Sequence, residues 1–348
     1  MTVTPVARGT LFAAPSGKGS SCTLTAPCSA ATAVQRLRAG DVLFLRGGVY
    51  AYNRDMNVHA SGTQAAPIIV ESHPGELAIW DGSHLGTDSQ AVPSLYGDHI
   101  MMRRIEIRRM TAQGIYISGS HNVLAGINAH DNGLSGIHVH HSYDLPYGAK
   151  ASYNTIVDCT ARNNSDAGRS GGVGYANGGN ADGISISSGE GNRVIRALAD
   201  HNSDDGIDTW RSTNTIVQDS VTTANGLADG DGNGFKAGGI APSRGTIVER
   251  SIAYGNKVNG FDFNSGKDVV FRSNTSWRNG SHGFVTGATT KVTNSVSSED
   301  RQATSGAGAF SNNSWQKGGV SFVSRDPASS AFLKVSPGSP SQGLGALG

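Results

Sequence analysis

Four aspartates and one lysine are the residues of this chain whose types and spacing could do chemistry. "ADGIS" at 181–185 carries Asp182, "SDDGID" at 203–208 carries Asp204, Asp205 and Asp208, and "GNGFK" at 232–236 ends on Lys236. Carboxylates brought close together repel and raise one another's pKa, so a cation is their economical partner. Oxygen-only ligands without His or Cys suit Ca²⁺, which accepts six to eight oxygens in flexible geometry. A lysine beside such a cluster can act as a base when a bound cation and partial burial lower its pKa from the ordinary value of about 10.4. The local sequence leaves two plainer readings open. Asp, Asn, Ser and Gly are ordinary residues of solvated turns, and a Lys236–Asp208 pair is also an ordinary salt bridge. The choice depends on the elements that position these side chains.

Aligned on itself, the chain repeats an apolar pair, a polar stretch with Asn, then Gly followed by Ile or Phe. These steps fall at Gly114, Gly136, Gly183, Gly206, Gly234, Gly260 and Gly283, with spacings of 22, 47, 23, 28, 26 and 23. The 47-residue step reads as two coils with an insertion around "SDAGRSGGVGYANGGN". Apolar and polar residues alternate at period two, as in "GIHVHHS" and "GISISSG", and Asn/Gly breaks come too often for helices. Units this short cannot bury an apolar face alone, so they must stack and share one core. The expected fold is all-β: a right-handed, single-stranded parallel β-helix, a solenoid of about 22-residue coils.

Asn132, Asn202, Asn256 and Asn279 each precede their glycine by four residues and should form an internal amide ladder. Residues 29–39, with Ser29 as N-cap and Gly40 as a stop, read as an amphipathic helix plugging the first coil before "DVLFL" begins the strands. The chain thus divides into an N-terminal segment with a capping helix at 1–40, the β-helix at 41–335 and a loose tail at 336–348.

Equivalent positions of successive coils lie one above another, so register becomes neighbourhood. Two residues after each glycine, one outward column runs Tyr116, His138, Ser185, Asp208, Lys236, Asp262, Val285. The column just before the glycine holds Asp182 and Asp205 in adjacent coils, flanked by Asp204 and Asp208. Lys236 stands over Asp208, although the insertion "LADGDGN" leaves that register open by a residue. Asp229 and Asp231 within it add a ligand or nothing. His138 and His140 share an outward strand; with no third ligand, the reading is a substrate-groove or surface role.

At these residues the chain resembles polysaccharide lyase family 9, the right-handed parallel β-helix pectate lyases. The resemblance covers most of the chain, from "GGVY" of the first coil through the last repeats; its specific part is "ADGI", "SDDGID" and "GNGFK". It implies that Asp182, Asp204, Asp205 and Asp208 hold Ca²⁺ and that Lys236 is the base taking the C5 proton of a uronate, with pectate or polygalacturonate as the implied substrate. Arg211 and Arg244, in the same two coils, are candidates for binding sugar carboxylates, and Trp210 is a stacking platform or a packing residue.

Two other classes compete. A polygalacturonase-like glycoside hydrolase also uses stacked aspartates, but it carries "GHG" where this chain reads "GNGFK". A non-catalytic carbohydrate-binding or structural β-helix has no reason to stack four aspartates under a lysine. Composition narrows the rest. The chain has 48 glycines in 348 residues and a formal net charge of +1, with no basic run and no 18-residue apolar run, so neither a nucleic-acid partner nor a membrane span is expected. Cys22 and Cys28 either close a small disulfide loop or stay thiols, and Cys159 reads as a buried small hydrophobe. The N-terminal sequence lacks an apolar h-region. The expectation is a secreted monomer acting on an acidic polysaccharide, its export signal removed; a cytoplasmic protein is the alternative.

Overall fold

In the computed structural model, residues 9–86, 91–141, 151–168 and 177–348 are described. The chain winds as a right-handed parallel β-helix whose coils contribute one short strand to each of three sheets. Among the described residues the sheets hold 12, 10 and 9 strands. One coil reads Val123–Ala125 in the first sheet, Asn128–His130 in the second and Ile137–Val139 in the third. Every strand pairs in parallel with its counterpart one coil away, as Ile207↔Phe235 and Phe235↔Phe261 do.

Alternation of side chains produces the core. Inward residues of the third sheet stack as Ile115, Ile137, Ile184, Ile207, Phe235, Phe261 and Phe284, all essentially inaccessible. The phenyl rings of Phe235 and Phe261 lie parallel with centroids 4.9 Å apart, and those of Phe261 and Phe284 4.8 Å apart. Each such side chain contributes roughly 1.5–3 kcal/mol by leaving water. The second sheet turns small residues inward, Ala129, Ala161, Ala199, Thr222 and Ala253.

The repeat glycine is required by close approach. A Cβ on Gly206 would lie 2.6 Å from the carbonyl oxygen of Gly234 and 2.8 Å from Thr222. Beside these glycines the amide ladder forms, longer than expected: Asn132, Asn164, Asn202, Asn225 and Asn256 each pass an Nδ2–H to the Oδ1 of the next asparagine at 2.9 Å, and the last, Asn279, donates to Asp300 at 3.0 Å. Insertions between Asn164 or Asn225 and the following glycine hide these two from a spacing rule.

The structure corrects four expectations. The 47-residue step is one coil, because Ile137↔Ile184 and His138↔Ser185 pair directly. Of its extra residues, 142–150 and 169–176 lie outside the described residues. The capping helix is only Ala30–Val34; Ser29 accepts from Thr32 N at 3.1 Å, but Arg36 and Leu37 bond three residues back and tighten the chain out of the helix. The strands begin before it, at Thr10–Ala13, which pairs with Val42–Leu45. The stretch 336–348 is not loose. Leu344 packs with Val296 and Val335, and the amides of Gly345 and Ala346 bond Asn294 and Thr275 of the coils. Cys22 and Cys28 are disulfide-bonded, while Cys159 is a buried free thiol.

Candidate active site on the third sheet

The outward column runs as counted: Tyr116↔His138↔Ser185↔Asp208↔Lys236↔Asp262↔Val285. The insertion before Lys236 therefore leaves its register with Asp208 intact. The loop's residues fold outward instead, with Gly230 so close to Ser203 that a Cβ would meet its carbonyl oxygen at 2.1 Å. Lys257 holds the loop there by donating to the carbonyls of Ala228 and Gly230 at 2.7 and 3.1 Å.

Asp182, Asp205 and Asp208 are buried, and each offers a carboxylate oxygen within 4.8 Å of the others; Asp204, Asp205 and Asp231 form a second such group. Lys236 Nζ lies 2.9 Å from Asp205 Oδ2, 2.8 Å from Asp231 Oδ2 and 3.8 Å from Asp208 Oδ2. Its side chain is 13% exposed, against 65% for Asp231. Asp231 is thus the lysine's outer ion-pair partner, a contact the sequence reading left open, while Asp229 lies exposed.

Asp205 is aimed by its neighbours: Asn233 donates to its Oδ1 through the backbone at 2.7 Å and through Nδ2 at 2.9 Å. Asp204 Oδ1 accepts Asp231 N at 2.6 Å. Asp208 Oδ1 is buried with no hydrogen-bond partner among the described residues. A buried acceptor of this kind costs free energy until something positive reaches it.

The electrostatics point the same way. Burial, then the charges of Asp208, Asp204 and Asp205, push the Asp182 carboxyl well above the usual range. Burial raises Asp208 likewise, against the pull of Lys236. Burial and then Asp205 push Asp204 up to about 7, and Asp205 is raised by burial in spite of Lys236. For Lys236, burial favours the neutral amine, but Asp208, Asp205 and Asp182 outweigh it and hold the ammonium. The lowering expected from sequence is therefore opposed by the carboxylates themselves. This donor set, all oxygen and starved of positive charge, fits a hard divalent cation.

The cluster floors a groove of about 450 Å³ that also touches Gln113, His138, His140 and Trp210. Because the 47-residue step is one coil, His138 lies one strand from Ser185 and bonds Ser187 Oγ at 2.9 Å. Burial, then His140, lower its pKa to about 3, so it is a neutral hydrogen-bonding group. Trp210 is half-buried on the rim; the Arg211 guanidinium lies 5.4 Å from its ring centroid and its Nε donates to Ala241 O at 3.3 Å. Arg244 does not line this groove but a separate pocket beyond it.

A parallel β-helix with an acidic, cation-demanding groove beside a shielded lysine defines a polysaccharide lyase. Residues 11–299 match the model described as "Pel9A-like, right handed beta helix region", and the chain belongs to this family, polysaccharide lyase family 9. It is 31% identical to "Pectate lyase L" of Dickeya dadantii (strain 3937) over 90% of this chain and 78% of that one. With "Pectate lyase L" of Paenibacillus polymyxa (strain SC2) it shares 30% identity over 96% of this chain and 78% of the other. The crystal structure of pectate lyase Pel9A superposes with a TM-score of 0.82 at 27% identity, covering 97% of this chain and 92% of that one. A rhamnogalacturonan lyase at 20% identity shares the fold, with a TM-score of 0.80 over 98% of this chain and all of that one.

Proposed function

We propose that this chain is a calcium-dependent lyase that cleaves an acidic polysaccharide, pectate or polygalacturonate, by β-elimination with Lys236 as the base. The observation that carries the reading is Lys236 Nζ at 2.9 Å from Asp205 and 3.8 Å from Asp208, on the floor of an open groove, next to a buried Asp208 oxygen that lacks a partner. Asp182, Asp204, Asp205 and Asp208 would hold the ion. Bound there, calcium supplies positive charge that stabilises the negative charge developing on a uronate carboxylate as its neighbouring proton leaves.

The chain's own residues carry the remaining steps. With the cluster's negative charge taken up by the bound ion, Lys236 would release the proton that the carboxylates otherwise hold on it and, as the neutral amine, take the C5 proton of the uronate; the C5–H electron pair forms the C4–C5 double bond, and the C4–O bond breaks with the leaving sugar oxygen collecting a proton from solvent. Asn233 keeps Asp205 oriented, and Asp231 keeps the amine turned toward the groove. Trp210 offers a ring face to a sugar, and His138, held neutral, bonds hydroxyls without repelling a cation. Arg211 lies behind the Trp210 ring and is proposed to attract sugar carboxylates to that rim.

The Cys22–Cys28 disulfide supports an exported protein. The test is polygalacturonate with and without EGTA, followed by the ultraviolet absorbance of an unsaturated uronide. Calcium-dependent absorbance supports the lyase; new reducing ends without absorbance mean hydrolysis, and neither product means a binding protein.

A further inference from the structure

Behind the Trp210 rim lies a second pocket of about 240 Å³, and its lining differs in sign from the groove. Arg244 and Lys267 project into it between Pro242 and Ser265, and no carboxylate lines it. The two cations are bridge partners on consecutive coils, Thr213↔Arg244↔Lys267, so they stack one strand spacing apart, about 4.8 Å. Among the described residues neither forms an ion pair. In the same column Glu190 is two coils from Arg244, and its Oε1 takes Asn214 Nδ2 at 3.3 Å.

Elsewhere on this helix, several stacked charges are matched. Arg196 meets Asp158 at 2.7 Å and Arg250 meets Asp219 at 2.7 Å. The register at Arg244 and Lys267 instead places two cations together with no anion. A second, independent feature lies in the pocket wall. Ser243 is 4% exposed, and its hydroxyl has no hydrogen-bond partner among the described residues. Two unmatched cations and an unsatisfied hydroxyl donor form a complementary set for one carboxylate, which accepts through both oxygens.

The wall between pocket and groove is a single layer. Trp210 packs against Gly239, where a Cβ would lie 2.3 Å from the indole Cδ1, and Gly239 itself lines the pocket. The hydrogen bond from Arg211 to Ala241 O ties the pocket's loop to that tryptophan. Trp210 and Gly239 thus stand between the acidic groove and Arg244 with Lys267.

We propose that Arg244, Lys267 and Ser243 form an auxiliary subsite for the carboxylate of a uronate beyond Trp210, outside the catalytic groove. This rests on the acidic-polysaccharide reading above and adds a dependence on chain length. The subsite is reached only by oligomers long enough to pass Trp210, and it discriminates free carboxylates from methyl esters.

The test uses the full chain with Lys236→Ala, so that binding is measured without turnover. Affinities for trimeric and octameric oligogalacturonate, and for the methyl-esterified octamer, are compared by calorimetry in calcium and low salt. Lys267→Gln and Arg244→Gln should each weaken the free-acid octamer about tenfold, about 1.4 kcal/mol, with a smaller loss on the trimer and on the ester. Equal losses on all three ligands, or no loss on the octamer, overturn the subsite while leaving the lyase reading intact. A parent protein that neither binds nor cleaves any oligogalacturonate overturns both.

Discussion

Lys236 and Asp208 are Cα partners on adjacent strands of the third sheet, yet the lysine's closest carboxylates are Asp205 at 2.9 Å and Asp231 at 2.8 Å, with Asp208 at 3.8 Å. The ammonium reaches diagonally, to the turn before the strand below and to a loop of its own coil. Asp208 keeps one buried oxygen that accepts no hydrogen bond among the described residues, an acceptor suited to a cation.

Replacing Lys236 should separate binding from turnover. Lys236→Ala should lower kcat by far more than tenfold while oligogalacturonate still binds in calorimetry. Lys236→Arg should not restore the rate, since guanidinium keeps its proton. A variant retaining more than about a tenth of kcat, a loss under about 1.4 kcal/mol, would move the base elsewhere.

Chelation should stop turnover and leave the fold. The core is apolar stacking along three sheets, and the candidate ligands sit outside it. EGTA should abolish activity with the β circular dichroism signal unchanged, and Asp205→Ala should raise the calcium needed for half-maximal rate by an order of magnitude or more. Loss of the β signal on chelation would mean that the ion holds the coils together.

Without calcium, the aspartate cluster should cost stability as pH rises. Asp204 has a folded pKa of about 7 and an ordinary unfolded value near 3.9, and Asp182, Asp205 and Asp208 are also raised. Between those values Asp204 binds more protons in the folded state than in the unfolded one, so its contribution to the unfolding free energy declines with pH and levels off above about 7. Lys236, raised in the same cluster, stays protonated across this window and contributes no slope. His138, lowered to about 3 in the fold, gives the opposite slope below about 6.5, as do the lowered His99, His140 and His141. The test is therefore a difference: in EGTA the thermal midpoint of the parent minus that of Asp204→Asn should drop from pH 4.5 to pH 7.5, and added calcium should recover most of the parent's loss at the upper pH. A difference that rises with pH would contradict the raised Asp204 pKa.

The amide ladder is a stability device. Asn256→Ala would remove the Oδ1 that accepts from Asn225 N at 3.2 Å and Nδ2 at 2.9 Å, leaving buried donors unpaired at a cost of about 2 kcal/mol. A lowered thermal midpoint with kcat unchanged is the expected outcome. A proportionate fall in kcat at a temperature where the variant is folded would tie the ladder to the site.

Much of this site was legible in sequence because a solenoid makes the third dimension periodic. Counting from Gly183, Gly206 and Gly234 places Asp182, Asp205, Asp208 and Lys236 in neighbouring positions, since identical turns over identical strands must stack in register. The same logic yields four members of the Asn ladder and the inward Ile and Phe column. It failed where the period is interrupted. The 47-residue step looked like two coils because length alone does not distinguish an added coil from excursions that leave the sheets, and only the pairing of Ile137 with Ile184 decides it. Asn164 and Asn225 were hidden for the same reason. Side-chain direction also lay outside the count. That Lys236 turns to Asp205 and Asp231, that Asp208 keeps an oxygen unpaired, that Arg244 faces a second pocket with Lys267, and that 336–348 packs onto the coils all depend on contacts between segments with no fixed spacing. Register follows from backbone hydrogen bonding and repeats with the sequence, whereas the rotamer of a charged side chain follows from whichever neighbours the folded surface supplies.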